Sequence, residues 1–99
     1  MFIPSKVKIG GIYYKVVFTD YIDKVVNNRK GRYKDAHYAE IDYSVAKIKI
    51  LKRIPRALQE QALYHEVLHA MNDKLSEKDT EFLAQAMYQF HVDNNLLRG

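Results

Sequence analysis

The chain changes its hydrophobic rhythm about halfway along. Over residues 5–19, SKVKIGGIYYKVVFT, apolar and polar positions alternate on both sides of Gly10-Gly11. Val7 and Ile9 oppose Lys6 and Lys8; Ile12, Tyr14, Val16 and Phe18 form the next apolar face. A period of two predicts strands with one buried face, and a Gly-Gly pair between two such runs is a tight hairpin signal. Residues 20–28, DYIDKVVNN, fit a short helix or an irregular strand, and residues 27–31, NNRKG, are a loop by composition. The strand pattern returns from Tyr33. Ala39, Ile41 and Tyr43 alternate with Glu40 and Asp42, the chain bends over residues 43–46, and Ile48 and Ile50 alternate with Lys47 and Lys49. This predicts a second antiparallel hairpin with one buried face.

The rhythm becomes helical after Ile54-Pro55, where proline suits a first helical turn. Leu58, Ala62, Leu63, Val67, Leu68 and Met71 form a broad apolar face, predicting a helix over about residues 55–71. Residues 72–74, NDK, end it. Ser76-Glu77-Lys78-Asp79 has the form of a capping box. A second helix follows to about Asp93, with Leu83, Ala86, Met87 and Phe90 expected inward, and the tail NNLLRG expected to fray. The short connection makes the two helices antiparallel neighbours. The expectation is therefore an α+β fold in one domain over residues 1–99. A small antiparallel sheet of two hairpins (strand-rich, residues 1–53) packs on an antiparallel helix pair (residues 54–95).

Composition narrows the chemistry. With 99 residues, 47% hydrophobic and 28% charged, the chain suits one small globular domain with a modest core. There is no cysteine, so disulfides and thiolate metal sites are excluded, and any metal must be held by His, Asp or Glu. No apolar run reaches membrane-spanning length, and the start MFIPSKVKIGG has no small-residue cleavage site. The expected setting is the cytoplasm, with no membrane partner. The net charge is +4. Basic residues cluster at Arg29, Lys30, Arg32 and Lys34, and again at Lys47, Lys49, Lys52, Arg53 and Arg56. These read first as solvated strand edges and loops, and second as a surface for nucleic acid or an acidic protein.

One stretch of the first helix, YHEVLHAM, carries specific chemistry. His65, Glu66 and His69 form H-E-x-x-H. Histidines at i and i+4 lie one turn apart on one helical face, where two imidazoles can reach one ion at about 2.0–2.1 Å. The glutamate at i+1 is rotated by about 100°, poorly placed as a ligand but able to reach a water on the metal as a base. The histidines continue the stripe of Leu58 and Ala62, so they belong at the core edge. A hydrogen-bonded pair of core-edge histidines is the plainer alternative. A catalytic zinc usually takes three protein ligands and keeps one open position. With the hairpin turning near Leu75, residue 69 faces about 81, which ranks Glu81 first as third ligand, then Glu77, then Asp79 and His91.

The run from Glu40 to Asn94 resembles the small zincin-like metallopeptidases of phages and mobile elements, related to the ImmA/IrrE group. The hairpin AEIDYSVAKIKI, the helix ALYHEVLHAM and the following helix EKDTEFLAQAMYQFHVDN carry the likeness. It implies a cytoplasmic zinc-dependent peptidase, in a bacterium or phage-infected cell, with Glu81 at the position of the downstream glutamate ligand. In that reading one zinc ion is held by His65, His69 and Glu81, and Glu66 is the general base towards a peptide or protein substrate. Tyr64, His37, Tyr43 and Tyr88 are the candidate oxyanion donors. The strand over residues 38–42, if it is an edge, can take an extended peptide by strand addition. The alternative is a non-enzymatic zinc-binding module that engages a host protein or nucleic acid.

Overall fold

The structure is a computed structural model and describes residues 3–20, 22 and 38–96. Four strands precede two helices: β1 (Lys6–Ile9), β2 (Ile12–Thr19), β3 (Ala39–Asp42), β4 (Lys47–Leu51), α1 (Arg56–Met71) and α2 (Glu77–Asp93). This is the α+β arrangement the hydrophobic rhythm predicts. Most of the 20–28 segment lies outside the described residues, as do His37 and the cluster Arg29, Lys30, Arg32 and Lys34.

Both hairpins form and both are antiparallel. β1 pairs with β2 from Lys6↔Lys15 to Ile9↔Ile12. Gly10 and Gly11 take φ of 58° and 82°, values a side chain would disfavour at successive positions. β3 pairs with β4 from Ala39↔Ile50 to Asp42↔Lys47. In the turn between them, Asp42 Oδ1 accepts from the Ser44 amide at 3.1 Å and hydroxyl at 2.7 Å. Among the described strands the order is β1-β2-β4-β3. The seam between the hairpins is parallel, Lys15↔Lys47 to Thr19↔Leu51, so the sheet is mixed where the sequence suggested an antiparallel one. The chain between β2 and β4, residues 20–46, is long enough to return to the same end of the sheet, as a parallel pairing requires.

One face of the sheet is buried. Ile9, Tyr14, Val16, Ala39, Ile48 and Ile50 join Ile3 and, from α1, Ala62 and Leu63 in the core. Ile48 and Ile50 are fully buried, and each such side chain contributes roughly 1.5–3 kcal/mol. Ile12 and Phe18, expected on this face, lie exposed at the two ends of β2. α1 starts as proposed: Pro55 is its cap residue, and the Leu58 and Gln59 amides donate to the Pro55 carbonyl at 3.0 Å. The Gln59 side-chain amide also donates to the carbonyls of Leu51 and Lys52, fixing α1 to the end of β4.

α2 packs on α1 and on no other described element, giving three layers: sheet, α1, α2. Its cap is the expected one, with the Asp79 amide donating to Ser76 Oγ at 3.0 Å. Its inward face is not the expected one. Leu83, Ala86, Met87 and Phe90 are exposed, while Thr80 and Ala84 are buried and Tyr88 and His91 half-buried. The cause is the polarity of the seam, since α2 meets hydroxyl, carboxylate and imidazole groups of α1 rather than apolar core. Met71, expected inward on α1, is exposed as well. No helix among the described residues is long and apolar enough to cross a membrane.

Candidate metal centre

The site is built by α1, the turn after it and the first turn of α2. Asn72 and the turn that follows reverse the chain: the Asn72 amide donates to the Leu68 carbonyl, and the Lys74 amide donates to Asn72 Oδ1. Ser76 then starts α2 with Glu77 in its first turn, beside the C-terminal end of α1.

Three side chains converge. His65 Nε2 lies 3.0 Å from Glu77 Oε1, His69 Nε2 lies 3.2 Å from Glu77 Oε2, and the two Nε2 atoms are 3.1 Å apart. Each ring nitrogen carries at most one proton, or one lone pair, and presents it in one direction. A proton on both Nε2 atoms, aimed at Glu77, sets the nitrogens against each other. A proton between the nitrogens leaves a lone pair facing a carboxylate oxygen. One cation satisfies all three side chains at once. Tetrahedral ligands about 2.1 Å from an ion are roughly 3.4 Å from one another, close to the distances found. His65, His69 and Glu77 can therefore hold a metal ion. The histidines are mostly buried, at 19% and 21% side-chain exposure, while Glu77 is 71% exposed, so the group opens to solvent on the α2 side.

Glu81 takes a different place from the one the sequence ranked first. Its Oε1 lies 3.0 Å from His65 Nδ1, behind the ring, and its Oε2 accepts from the Gln85 side-chain amide at 2.7 Å. A carboxylate there fixes the proton on Nδ1 and leaves Nε2 free to act as a ligand. Glu77, ranked second, faces both Nε2 atoms. Glu77 and Glu81 lie one turn apart on one face of α2, and both reach His65, so counting facing residues across the turn does not separate them. Asp79 lies in the first turn of α2, where its amide serves the Ser76 cap.

Charge follows this geometry. Glu77 is held down to about 2, first by its hydrogen bond with His65, then, against the effect of burial, by the charges of His65 and His69. Burial works against a charge on His65, but the hydrogen bond to Glu77 and the charges of Glu66, Glu77 and Glu81 outweigh it and raise its pKa. Glu66 is 7% exposed. Burial pushes its carboxyl up to about 7; His65 pulls it down, and Glu77 and Glu40 push it further up.

The candidate oxyanion donors separate into two groups. Tyr43, exposed in the turn after β3, donates its hydroxyl to the His69 carbonyl at 3.2 Å. Burial and the charge of Glu66 raise its pKa. Tyr64 and Tyr88 lie instead in the seam between the helices. The Tyr64 hydroxyl meets His91 Nδ1 at 2.7 Å, and the Tyr88 hydroxyl donates to Glu60. His91, the last-ranked ligand candidate, belongs to that seam. The pairing of Glu60 with Tyr88 was not read from the sequence, because a buried glutamate on a helix gives no periodic signal of its own.

Compared with protein-family models, curated proteins and solved structures, the chain matches none. The reading of the site rests on its own residues.

Proposed function

We propose that this chain is a zinc-dependent peptidase of the zincin type, with His65, His69 and Glu77 as ligands and Glu66 as general base. The observation that carries the reading is the convergence of His65 Nε2, His69 Nε2 and the Glu77 carboxylate next to a buried glutamate. Nitrogen and oxygen donors with no thiolate suit zinc with an open position. When bound, zinc supplies Lewis-acid polarisation of the scissile carbonyl and lowers the pKa of water.

The chain's own groups supply the rest. Glu66, with its proton affinity near neutrality, accepts a proton from the attacking water and passes it to the leaving amine. Glu81 orients the His65 ring through Nδ1. β3 has a described neighbour on one side only and lies against α1. Its other edge offers main-chain groups to an extended peptide. Tyr43, which follows β3 and whose hydroxyl reaches the His69 carbonyl, supplies the hydroxyl for the developing oxyanion.

Two variants test the reading, each purified without a polyhistidine tag and assayed against a library of quenched-fluorescent peptides. Glu66→Gln is expected to lower hydrolysis by about 10²–10⁴ with zinc content, by elemental analysis, unchanged. His69→Ala is expected to lose both. Wild-type hydrolysis by Glu66→Gln would remove Glu66 from the mechanism. Unchanged turnover after chelation would remove zinc from the reaction, and no turnover by zinc-loaded protein would leave the non-enzymatic zinc-holding module.

A further inference from the structure

The face of the sheet turned away from α1 carries a second pattern, independent of the metal centre. Strand alternation puts Lys6 and Lys8 of β1, Tyr13, Lys15 and Val17 of β2, and Lys47 and Lys49 of β4 on that face. Lys6, Lys8, Tyr13 and Lys15 are exposed, and Lys47 and Lys49 half-buried. Register aligns three of these lysines directly: Lys6 pairs with Lys15, and Lys15 with Lys47. Adjacent strands are about 4.8 Å apart, so the row lies within about one to two Debye lengths at physiological salt. Like charges in direct cross-strand register destabilise a sheet. Among the described residues no ion pair neutralises Lys6, Lys8 or Lys15; the lysine pair found there is Lys52 with Asp20. Tyr13 stands beside the row, with the Lys6 and Lys8 amines 4.7 and 5.2 Å from its ring centre. Among the residues of the described strands, the carboxylates on this face are Glu40 and Asp42 of β3, opposite Lys49 and Lys47.

We infer that the outer face of β1, β2 and β4 binds single-stranded nucleic acid, the lysine row taking backbone phosphates and Tyr13 a stacked base. A polyanion removes the repulsion that the register builds in, because each phosphate meets more than one amine. A sheet face with an exposed aromatic flanked by cations suits an unpaired base, whereas the bases of a duplex present no free face. The acidic β3 margin limits the contact to the other three strands. It also keeps the nucleic acid away from the strand edge assigned above to a peptide.

Fluorescence anisotropy with the full chain and a labelled oligothymidylate tests this. Binding is expected at low salt, weaker to a blunt duplex of equal length and to phosphatidylserine vesicles. Lys6→Gln/Lys15→Gln/Lys47→Gln is expected to lower affinity at least tenfold and to flatten the slope of log K against log salt by about 2, at about 0.7 per phosphate contact. Tyr13→Ala is expected to weaken binding roughly 5- to 150-fold with the slope unchanged. A control with the same charge loss elsewhere, Arg56→Gln/Lys74→Gln/Lys78→Gln, is expected to keep the wild-type affinity. The triple lysine variant relieves like-charge contacts, so its melting temperature is expected to equal or exceed the wild type's. If it does not fold, Tyr13→Ala alone decides. Wild-type binding by the lysine variant, or by Tyr13→Ala, overturns the inference, and so does equal affinity for duplex or vesicles.

Discussion

At the scale of single residues, two glutamates one helical turn apart do different work on one histidine. Glu77 faces His65 Nε2 and Glu81 faces His65 Nδ1. Glu77→Gln is therefore expected to weaken zinc binding more than Glu81→Gln, for which loss of an orienting carboxylate costs about 10–100-fold in affinity. Competition with a chromogenic chelator measures both, and the reverse order would return Glu81 to the ligand position. The H-E-x-x-H pair was legible because it needs only the helix repeat. The third member of the group was not, because Glu77 and Glu81 lie one turn apart on one face of α2 and both reach His65. A second residue-scale expectation concerns Tyr88. Burial and then its hydrogen bond to Glu60 push its hydroxyl up to about 12, against about 10 in an unfolded chain. The neutral hydroxyl is favoured in the fold, so its contribution is whole below pH 10 and is lost as pH rises towards 12. Tyr88→Phe is expected to reduce the fall in denaturation midpoint between pH 10 and 12. It is not expected to abolish it, since Tyr43 and Tyr64 are raised too.

At the scale of elements, every described strand and helix was foreseen in type and order, and the two helices to within a residue or two, because each has a period of its own. What the periods did not supply was which face α2 turns inward. Leu83, Met87 and Phe90 form the more apolar stripe, yet Thr80, Ala84, Tyr88 and His91 meet α1. A hydrophobic pattern locates an oily seam, and this seam is held by Glu60–Tyr88, Tyr64–His91 and the metal-centre contacts. The parallel joint of β2 and β4 was equally hidden, since alternation is the same in either direction. The start of α2 was plain from Ser76 and Asp79. Ser76→Ala removes the acceptor for the Asp79 amide and is expected to cost about 1 kcal/mol. The shift in urea midpoint reads this. A loss near zero would mean that the Ser76 carbonyl, which already accepts from Thr80, sets that end of the helix unaided.

At the scale of the whole molecule, α2 is attached through α1 alone, and the proposed zinc joins the two helices. Zinc at a hundredfold excess over Kd is expected to stabilise the fold by about 2.7 kcal/mol, raising the melting temperature by roughly 10–20 °C for a chain of this size. Chelation should reverse the shift, and calorimetry with and without zinc checks both. An unchanged melting temperature would mean that no ion is bound. His65 and Glu77, which close the site, are separated by little more than a turn and a half-helix, whereas the β2–β4 joint must bring Lys15 to Lys47. Short loops close first and most readily. An ion could thus clip the helical hairpin while the strands are still unpaired, making the chemical half of the protein a template on which the sheet is laid down.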